Sequence, residues 1–311
     1  MYDSTKPYKK QILPLIQKTW ETPFLSVKNQ IIKKKFSFPE YHHSDGIGTK
    51  GIYHWQKRTF KNAVLDALAM NLNDLLLMNA RPYGVLNHLF LPRDDKEAIL
   101  EIIGHLSREC KKRKIAILGG ETAIHNDMEG MELSITMLGF VEKFIENQFK
   151  AGDTLIGLES SGLHSNGFTK IREIFGKSFY PEFIKPTFIY FDTIFPLIKK
   201  FDIHGMIHIT GGAFTKLKDF LKNSDAFLKR KHRLKPRQVF YRIYKKMNND
   251  AGMYKIFNCG IGFILSVKPK DANKILSEIK NFKADVIGEI TPGDGKIKIE
   301  SLFSNKTIIL K

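Results

Sequence analysis

The sequence predicts a mixed α/β protein of two similar halves. Three observations carry that expectation. Strand-like apolar runs alternate with helical segments from about residue 36 to 146, and the alternation begins again at Thr154. NAVLDALAMNLNDLLLMN (62–79) is a long run of Leu, Ala and Met without Gly or Pro, which reads as a helix. Glycine-bearing runs follow strand-like segments in both halves, at GGET (119–122) and at TGG (210–212). The chain's 311 residues suit two domains, and its 42% hydrophobic content suits real cores. The expected division is an arm over 1–40, a first domain over 41–150 and a second over 151–311.

Taken in order, residues 1–35 read as a polar arm with one helix near 7–18. YHHS leads as a strand into the glycine run SDGIGTK (44–50), followed by the 62–79 helix. YGVLNHLFL (83–91) reads as a strand. Asp94 and Asp95 open a helix reaching about Lys112, with acids in its first turn and bases in its last, as the helix dipole favours. IAIL (115–118) is a short strand running into GGET, read as a turn. MELSITMLGFV (131–141) is another strand, and AGDT (151–154) a turn. In the second half LIGLES is a strand, SGLHSNG a loop and FTKIREIF a helix. PTFIYFDTIFPLIKKF (186–201) reads as a helix with Pro at its start. GMIHI (205–209) is a strand, then TGG opens a helix to about Leu221. PRQVFYRIYKKM, DAGMYKIF and KDANKILSEIKNF read as helices; IGFILSV, DVIGEI, KIKIE and KTIIL read as strands.

Composition narrows the function. Cys110 and Cys259 lack a CxxC partner, which argues against a zinc site or a disulfide framework. The absence of a secretory pattern in MYDSTKPYKK and of a bilayer-length apolar run makes the cytoplasm the expected compartment, with no membrane partner. A net charge of +18 suits polyanions. The lysines are scattered through ordinary globular pattern, so phosphorylated small molecules are the expected anions and nucleic acid a lesser one.

The chemistry-bearing residues start at HHSDGIGTKG (42–51). Glycine permits close backbone approach to a ligand. Asp45 among backbone N–H groups and beside Lys50 suits an anion only if a divalent cation sits between them. On the 62–79 helix Asp66 and Asn73 lie seven residues apart and share a face, with Asp74 to one side. Carboxylates on so apolar a helix need a partner or a metal, and Asp and Asn oxygens suit Mg²⁺ with phosphate. GGETA (119–123) places Glu121 at a strand end, either at the mouth of a sheet or capping a helix. SSGLHSNG (160–167) offers backbone N–H groups at a helix start, either an anion site or a turn capped by Ser165 or Asn166. His164 reads as a general acid–base or a loop hydrogen-bonder. His42, His43, His88 and Cys259 read as structural.

The ordered set SDGIGTK, DALAMNLNDLL with ARP, LGGETA, SSGLHSNGF, HITGGAF and MYKIFNCGIGF resembles phosphoribosylformylglycinamidine cyclo-ligases from about residue 41 to VIGEI near 290. That family sits in an ATP-binding superfamily with thiamine-monophosphate kinase, selenophosphate synthetase and a hydrogenase maturation factor. The resemblance implies a ligase of purine biosynthesis that uses ATP and Mg²⁺ to close an imidazole ring. It implies a homodimer whose first domains join their mixed sheets into a barrel. By the same resemblance Asp45, Gly46, Gly48, Thr49, Lys50, Asn73, Gly119, Gly120 and Thr122 contact ATP, and Asp45, Asp66, Asp74 and Glu121 hold the metal. Ser161, Gly162, His164, Ser165, Asn166, Thr210, Gly211, Gly212 and Asn258 bind the phosphoribosyl substrate. Asp45, Lys50, Asp74 and His164 are the implied catalytic residues.

The sequence departs from the pattern in three places. No glycine occurs in TPFLSVKNQIIKKKFSFPEY, where the family has a glycine-rich loop. IHNDMEG stands for a Glu and Met-Pro-Gly segment. Ala213 and KLKDF replace a glycine and an arginine-bearing run, leaving Lys216 or Lys218 to supply charge. Thiamine-monophosphate kinase is the alternative of similar length. A basic nucleic-acid-binding protein that has lost catalysis is the alternative of a different class.

Overall fold

A computed structural model describes residues 8–310, which form two compact units divided between Lys143 and Phe144. In the first unit the elements run α1 (Lys9–Gln17), β1 (Leu25–Lys28), β2 (Ile31–Lys34), β3 (Glu40–Gly46), α2 (Lys50–Lys57), α3 (Phe60–Leu77), β4 (Ala80–Leu91), α4 (Lys96–Lys112), β5 (Ala116–Ile124) and β6 (Glu132–Val141). The main sheet has the order β3-β6-β4-β5, parallel only between β4 and β5. It is mixed, as expected, and open within one chain.

Helix α3 is the centre of this unit. Thirteen of its side chains are buried, from Phe60 to Leu76, and it packs on β3, β4, β6 and α4. Burial on most sides follows from its apolar circumference. Asp95 starts α4 as its N-cap, accepting from Ala98 N at 2.9 Å. Residues 8–40 are integrated with this unit. Ile12 and Ile16 are buried, and α1 packs on α4 and β5. Ile117 N donates to Thr19 Oγ1 at 2.8 Å, and Trp20 Nε1 donates to Ile117 O at 2.8 Å. The β1–β2 hairpin was not legible in the sequence.

The second unit comprises β7 (Thr154–Glu159), α5 (Phe168–Phe175), α6 (Phe191–Lys200), β8 (Ile203–His208), β9 (Ser224–Leu228), α7 (Gln238–Met247), α8 (Asp250–Ile256), β10 (Ile261–Val267), α9 (Pro269–Glu278), β11 (Ala284–Pro292), β12 (Ile297–Glu300) and β13 (Thr307–Leu310). Its seven strands have the order β13-β12-β9-β11-β7-β10-β8, with β12 parallel to β9 and the other pairs antiparallel. Strands β8 and β10 are buried along their whole length.

Three local expectations are corrected. GGET is no turn: β5 runs on through Ile124 and pairs in parallel with β4. Gly120 is required there for close approach, because a Cβ would lie 2.4 Å from Asn87 O. The expected helix over 186–201 begins only at Phe191. Residues 185–190 before it are irregular and tied down from the side, with Ser161 Oγ donating to Pro186 O at 2.6 Å and the buried Tyr190 hydroxyl to Glu159 O at 2.7 Å. The segment after TGG is a 3₁₀ helix, Ala213–Phe220, entered through positive φ at Gly212 (75°) and Ala213 (44°).

Candidate functional site

In the first unit β3 delivers Asp45 and Gly46 to a turn, and α2 begins at Lys50. Asp45 Oδ1 accepts from Gly46 N at 2.8 Å. Glu132, at the start of β6, reaches the same turn: Oε1 accepts from Ile47 N at 3.0 Å and from Ser134 Oγ at 3.1 Å. A Cβ on Gly46 would lie 2.1 Å from Glu132 Oε1, so this glycine admits a carboxylate. Gly48 has φ +54° and open space around it. Burial pushes the Glu132 carboxyl up, and the nearby Asp45 adds to that against several hydrogen bonds that lower it.

Helix α3 brings a second group to β3. His43 Nε2 lies 3.3 Å from Asp74 Oδ2, and His43 Nδ1 lies 3.1 Å from Asn71 Oδ1. Asn71 Nδ2 donates to Asp45 O at 3.1 Å and to Ala67 O at 2.9 Å. Burial alone would lower the His43 pKa; Asp74, Asn71 and Asp45 outweigh it and hold the imidazole above its ordinary value. Asp45, Asp74, Glu132 and His43 thus share one neighbourhood.

Lys50 and Asp66 are turned elsewhere. Lys50 Nζ lies 2.9 Å from Asp66 Oδ1 and 2.7 Å from Oδ2, with both side chains fully buried. His54 Nε2 donates to Asp66 Oδ2 at 2.8 Å, and its Nδ1 lies 2.7 Å from Thr59 Oγ1. Burial would raise the Asp66 carboxyl, but Lys50 and His54 hold it far below the carboxylate range. Burial lowers both Lys50 and His54. The expected phosphate contact of Lys50 and metal contact of Asp66 therefore do not match this geometry: the two neutralise each other inside the fold. Asn73 is buried on α3. Thr49 stands at the start of α2 with no side-chain cap bond. Glu121 and Thr122 lie half-buried along β5, Glu121 Oε1 accepting from Thr122 N at 2.9 Å; Gly119 and Gly120 precede them within the strand. Among the described residues no group of three or more His, Cys, Asp and Glu side chains is set to hold a metal ion.

In the second unit the expected substrate residues do converge. Ser160 Oγ donates to Asn258 Oδ1 at 2.8 Å, and Asn258 Nδ2 donates to Gly162 O at 2.8 Å. Ser161 N donates to His164 Nε2 at 3.2 Å, which fixes the neutral ring with its proton on Nδ1. His164 has φ +60° and is 1% exposed, in the interior rather than on the surface. Ser165 Oγ and Thr187 Oγ1 lie 3.0 Å apart. The TGG turn adjoins this loop, since a Cβ on Gly211 would lie 3.4 Å from Asn166 Oδ1. Lys216 Nζ donates to Thr210 Oγ1 at 2.9 Å, so Lys216 brings positive charge to the turn, and Lys218 is exposed beyond it. Gly211 and Gly212 are exposed, whereas Ser161, Gly162, Thr210 and Asn258 are buried. Both cysteines are buried, and burial pushes the Cys110 thiol up to about 12 and that of Cys259 well above its ordinary value, so neither is poised as a nucleophile.

Two family models match the chain, AIR synthase related protein N-terminal domain over 42–141 and C-terminal domain over 150–300. A phosphoribosylformylglycinamidine cyclo-ligase of Methanothermobacter thermautotrophicus is 34% identical over 278 residues, covering 83% of this chain and 81% of the relative. The chain belongs to the phosphoribosylformylglycinamidine cyclo-ligase family. A cyclo-ligase of Saccharolobus solfataricus is likewise 34% identical, over 81% of this chain and 79% of its own. Among solved structures, hydrogenase maturation protein HypE in complex with ATP superimposes with a TM-score of 0.73 at 14% identity, over all of this chain and 96% of that one. Thiamine-monophosphate kinase of Stenotrophomonas maltophilia gives 0.69 at 16% identity, over 96% and 97%. Those two share the fold.

The sequence reading missed two residues of the first unit's site, Glu132 and His43. Glu132 opens a strand and carries no motif; only the carboxylate's place beside a glycine 86 positions earlier reveals it. His43 reads as structural in the sequence, yet its alternation with Asp45 along one strand puts both on the same face.

Proposed function

We propose that the chain is an ATP-dependent cyclo-ligase that converts formylglycinamidine ribonucleotide to aminoimidazole ribonucleotide. The observation that carries this reading is the match to cyclo-ligases at 33–34% identity over four-fifths or more of the chain. In the reaction the formamide oxygen takes the γ-phosphoryl group of ATP and ADP leaves. An amidine nitrogen then attacks the activated carbon, loses a proton, and phosphate departs as the ring closes. Such transfers ask a protein for positioning and charge neutralisation rather than for a nucleophile.

The residues fit that demand. At the Gly46–Thr49 turn Gly46 N and Ile47 N already donate to Asp45 and Glu132, so nucleotide phosphates would meet the turn through a cation held by those carboxylates. Asp45 and Glu132 crowd the turn, and the Asp45 charge disfavours that of Glu132, as suits groups awaiting a cation. Mg²⁺ would be held there by Asp45 and Glu132, whereas Asp74 is engaged by His43 3.3 Å away. Their small number fits an ion that takes its remaining ligands from phosphate and water. When bound, Mg²⁺ neutralises charge on the transferring phosphoryl group. Ser165, Asn166, the TGG backbone and Lys216 suit the phosphate of the ribonucleotide, whereas His164 orients the Ser161 amide from the interior. A homodimer through the outer face of the β3-β6-β4-β5 sheet is consistent with the exposed Leu86.

Purified protein with ATP, Mg²⁺ and formylglycinamidine ribonucleotide should yield aminoimidazole ribonucleotide and ADP one for one. ATP turnover without the aminoimidazole product would overturn the proposal.

A further inference from the structure

The segment KRKHRLKPR (229–237) joins β9 to α7. Its exposure alternates: Lys231, Arg233, Lys235 and Arg237 are exposed, while His232, Leu234 and Pro236 are buried. The buried side chains anchor the segment and leave four cations in a row at the surface. Backbone and side-chain bonds fix the row. Arg233 N donates to Asp285 Oδ2 at 2.7 Å and Arg233 Nη2 to Ala284 O at 3.0 Å. Arg237 Nε donates to Ser160 O at 3.3 Å, and its Nη2 lies 3.4 Å from Glu159 Oε2. Asp285 and Glu159 balance part of this charge, yet the Arg233 side chain remains 77% exposed.

Arg233 also lines a cavity of about 390 Å³ with Leu276, Ile279, Phe282, Lys283 and Ala284. Aliphatic and aromatic side chains thus meet two cations in one concave site. The Phe282 ring is held by Phe188 and Tyr190, with centroids 5.2 and 5.0 Å away.

We propose that this face of the second unit binds single-stranded nucleic acid, with phosphates along the row from Lys231 to Arg237 and one base in the cavity beside Phe282. A cationic track next to an aromatic platform is what a flexible polyanion with flat rings requires. A mononucleotide would leave most of the row unused, a duplex hides its bases from the cavity, and a run of acidic side chains has no flat group for the ring. The +18 net charge would speed encounter. None of the row's residues takes part in the proposed cyclo-ligase reaction, so the two proposals fail separately.

The test is fluorescence anisotropy of a 5′-labelled 12-nucleotide oligouridine titrated with the full chain at several salt concentrations. Each cation on the strand contributes about 0.7 to the slope of log affinity against log salt, so four give about 3. Lys231→Glu with Lys235→Glu should weaken binding at least about tenfold and flatten the slope. Phe282→Ala should weaken it about 5- to 150-fold, the worth of one stacked base, with the slope unchanged. Lys18→Glu with Lys28→Glu, the same charge change on the first unit, should leave binding near wild type. The charge variants should keep the wild-type unfolding midpoint, whereas Phe282→Ala should lower it because the ring packs on Phe188 and Tyr190; Phe282→Leu, which keeps most of that packing without a flat ring, should weaken binding with a midpoint closer to wild type, and all variants should keep cyclo-ligase turnover. The proposal is overturned by absent binding, by equal losses in both double variants, or by an unchanged affinity in Phe282→Ala. Displacement by uridine monophosphate, by a 12-base-pair RNA duplex or by polyglutamate as effective as displacement by unlabelled oligouridine would overturn it too.

Discussion

Replacing Lys50 by Met tests whether the Lys50–Asp66–His54 group is an internal support. Met matches the aliphatic stem, so the change removes the charge with little loss of packing. It leaves the Asp66 carboxylate buried, with His54 Nε2 at 2.8 Å and the ammonium gone. Breaking a buried pair in this way costs about 3–5 kcal/mol; the remaining imidazole puts the variant near the lower figure, about 3 kcal/mol at pH 8. At lower pH His54 supplies the missing charge. Burial and Lys50 both hold its pKa down in the wild type while Asp66 raises it. Removing Lys50 takes away one of the causes that lower it, so its folded pKa rises. A group whose folded pKa is depressed by burial costs the folded state stability as pH falls below the unfolded pKa, and the variant loses less in this way than the wild type. The deficit should therefore be smaller at pH 5.5 than at pH 8. The assay is urea unfolding followed by tryptophan fluorescence. Trp20 and Trp55 are the chain's two tryptophans and both lie in the first unit, so the signal reports that unit. Pairing Lys50→Met with Asp66→Leu should restore much of the loss. A Lys50→Met variant as stable as wild type, or one with equal deficits at both pH values, would refute the account.

Asp45→Asn and Glu132→Gln should each lower cyclo-ligase turnover by about 100-fold, the scale of a lost electrostatic contact in phosphoryl transfer, with the fold intact by circular dichroism. His43 should titrate above 6.5 by NMR, and Asp74→Asn should move it downward, because Asp74 supplies the main contributions that raise it. Gly120→Ala should destabilise the first unit by about 1–3 kcal/mol in the same urea assay, since the new methyl meets the Asn87 carbonyl rather than a movable side-chain tip.

Much of the architecture was legible because it is local. The apolar run of α3, the alternation into α5 and the β-rich IGFILSV of β10 each state their own conformation. What was missed depends on distant partners. GGET extends β5 only because β4 lies alongside; the segment before Phe191 stays out of the helix because Glu159 and Ser161 bind it. The same division holds at the site. Asp45 and Asp74 were found from composition around them, and their neighbourhood follows from β3 packing on α3. Lys50 and Asp66 were assigned outward roles because sixteen residues of separation conceals a direct ion pair.

Strand β5 lies at the margin of its sheet, and the N–H and C=O of Ile117 are occupied by Thr19 and Trp20. An open margin is a template on which another molecule's strand can dock and begin aggregation. The leading segment thereby acts as a guard against self-association. Removing residues 1–20 should leave the chemistry's side chains in place and yet give a protein that precipitates as its concentration rises.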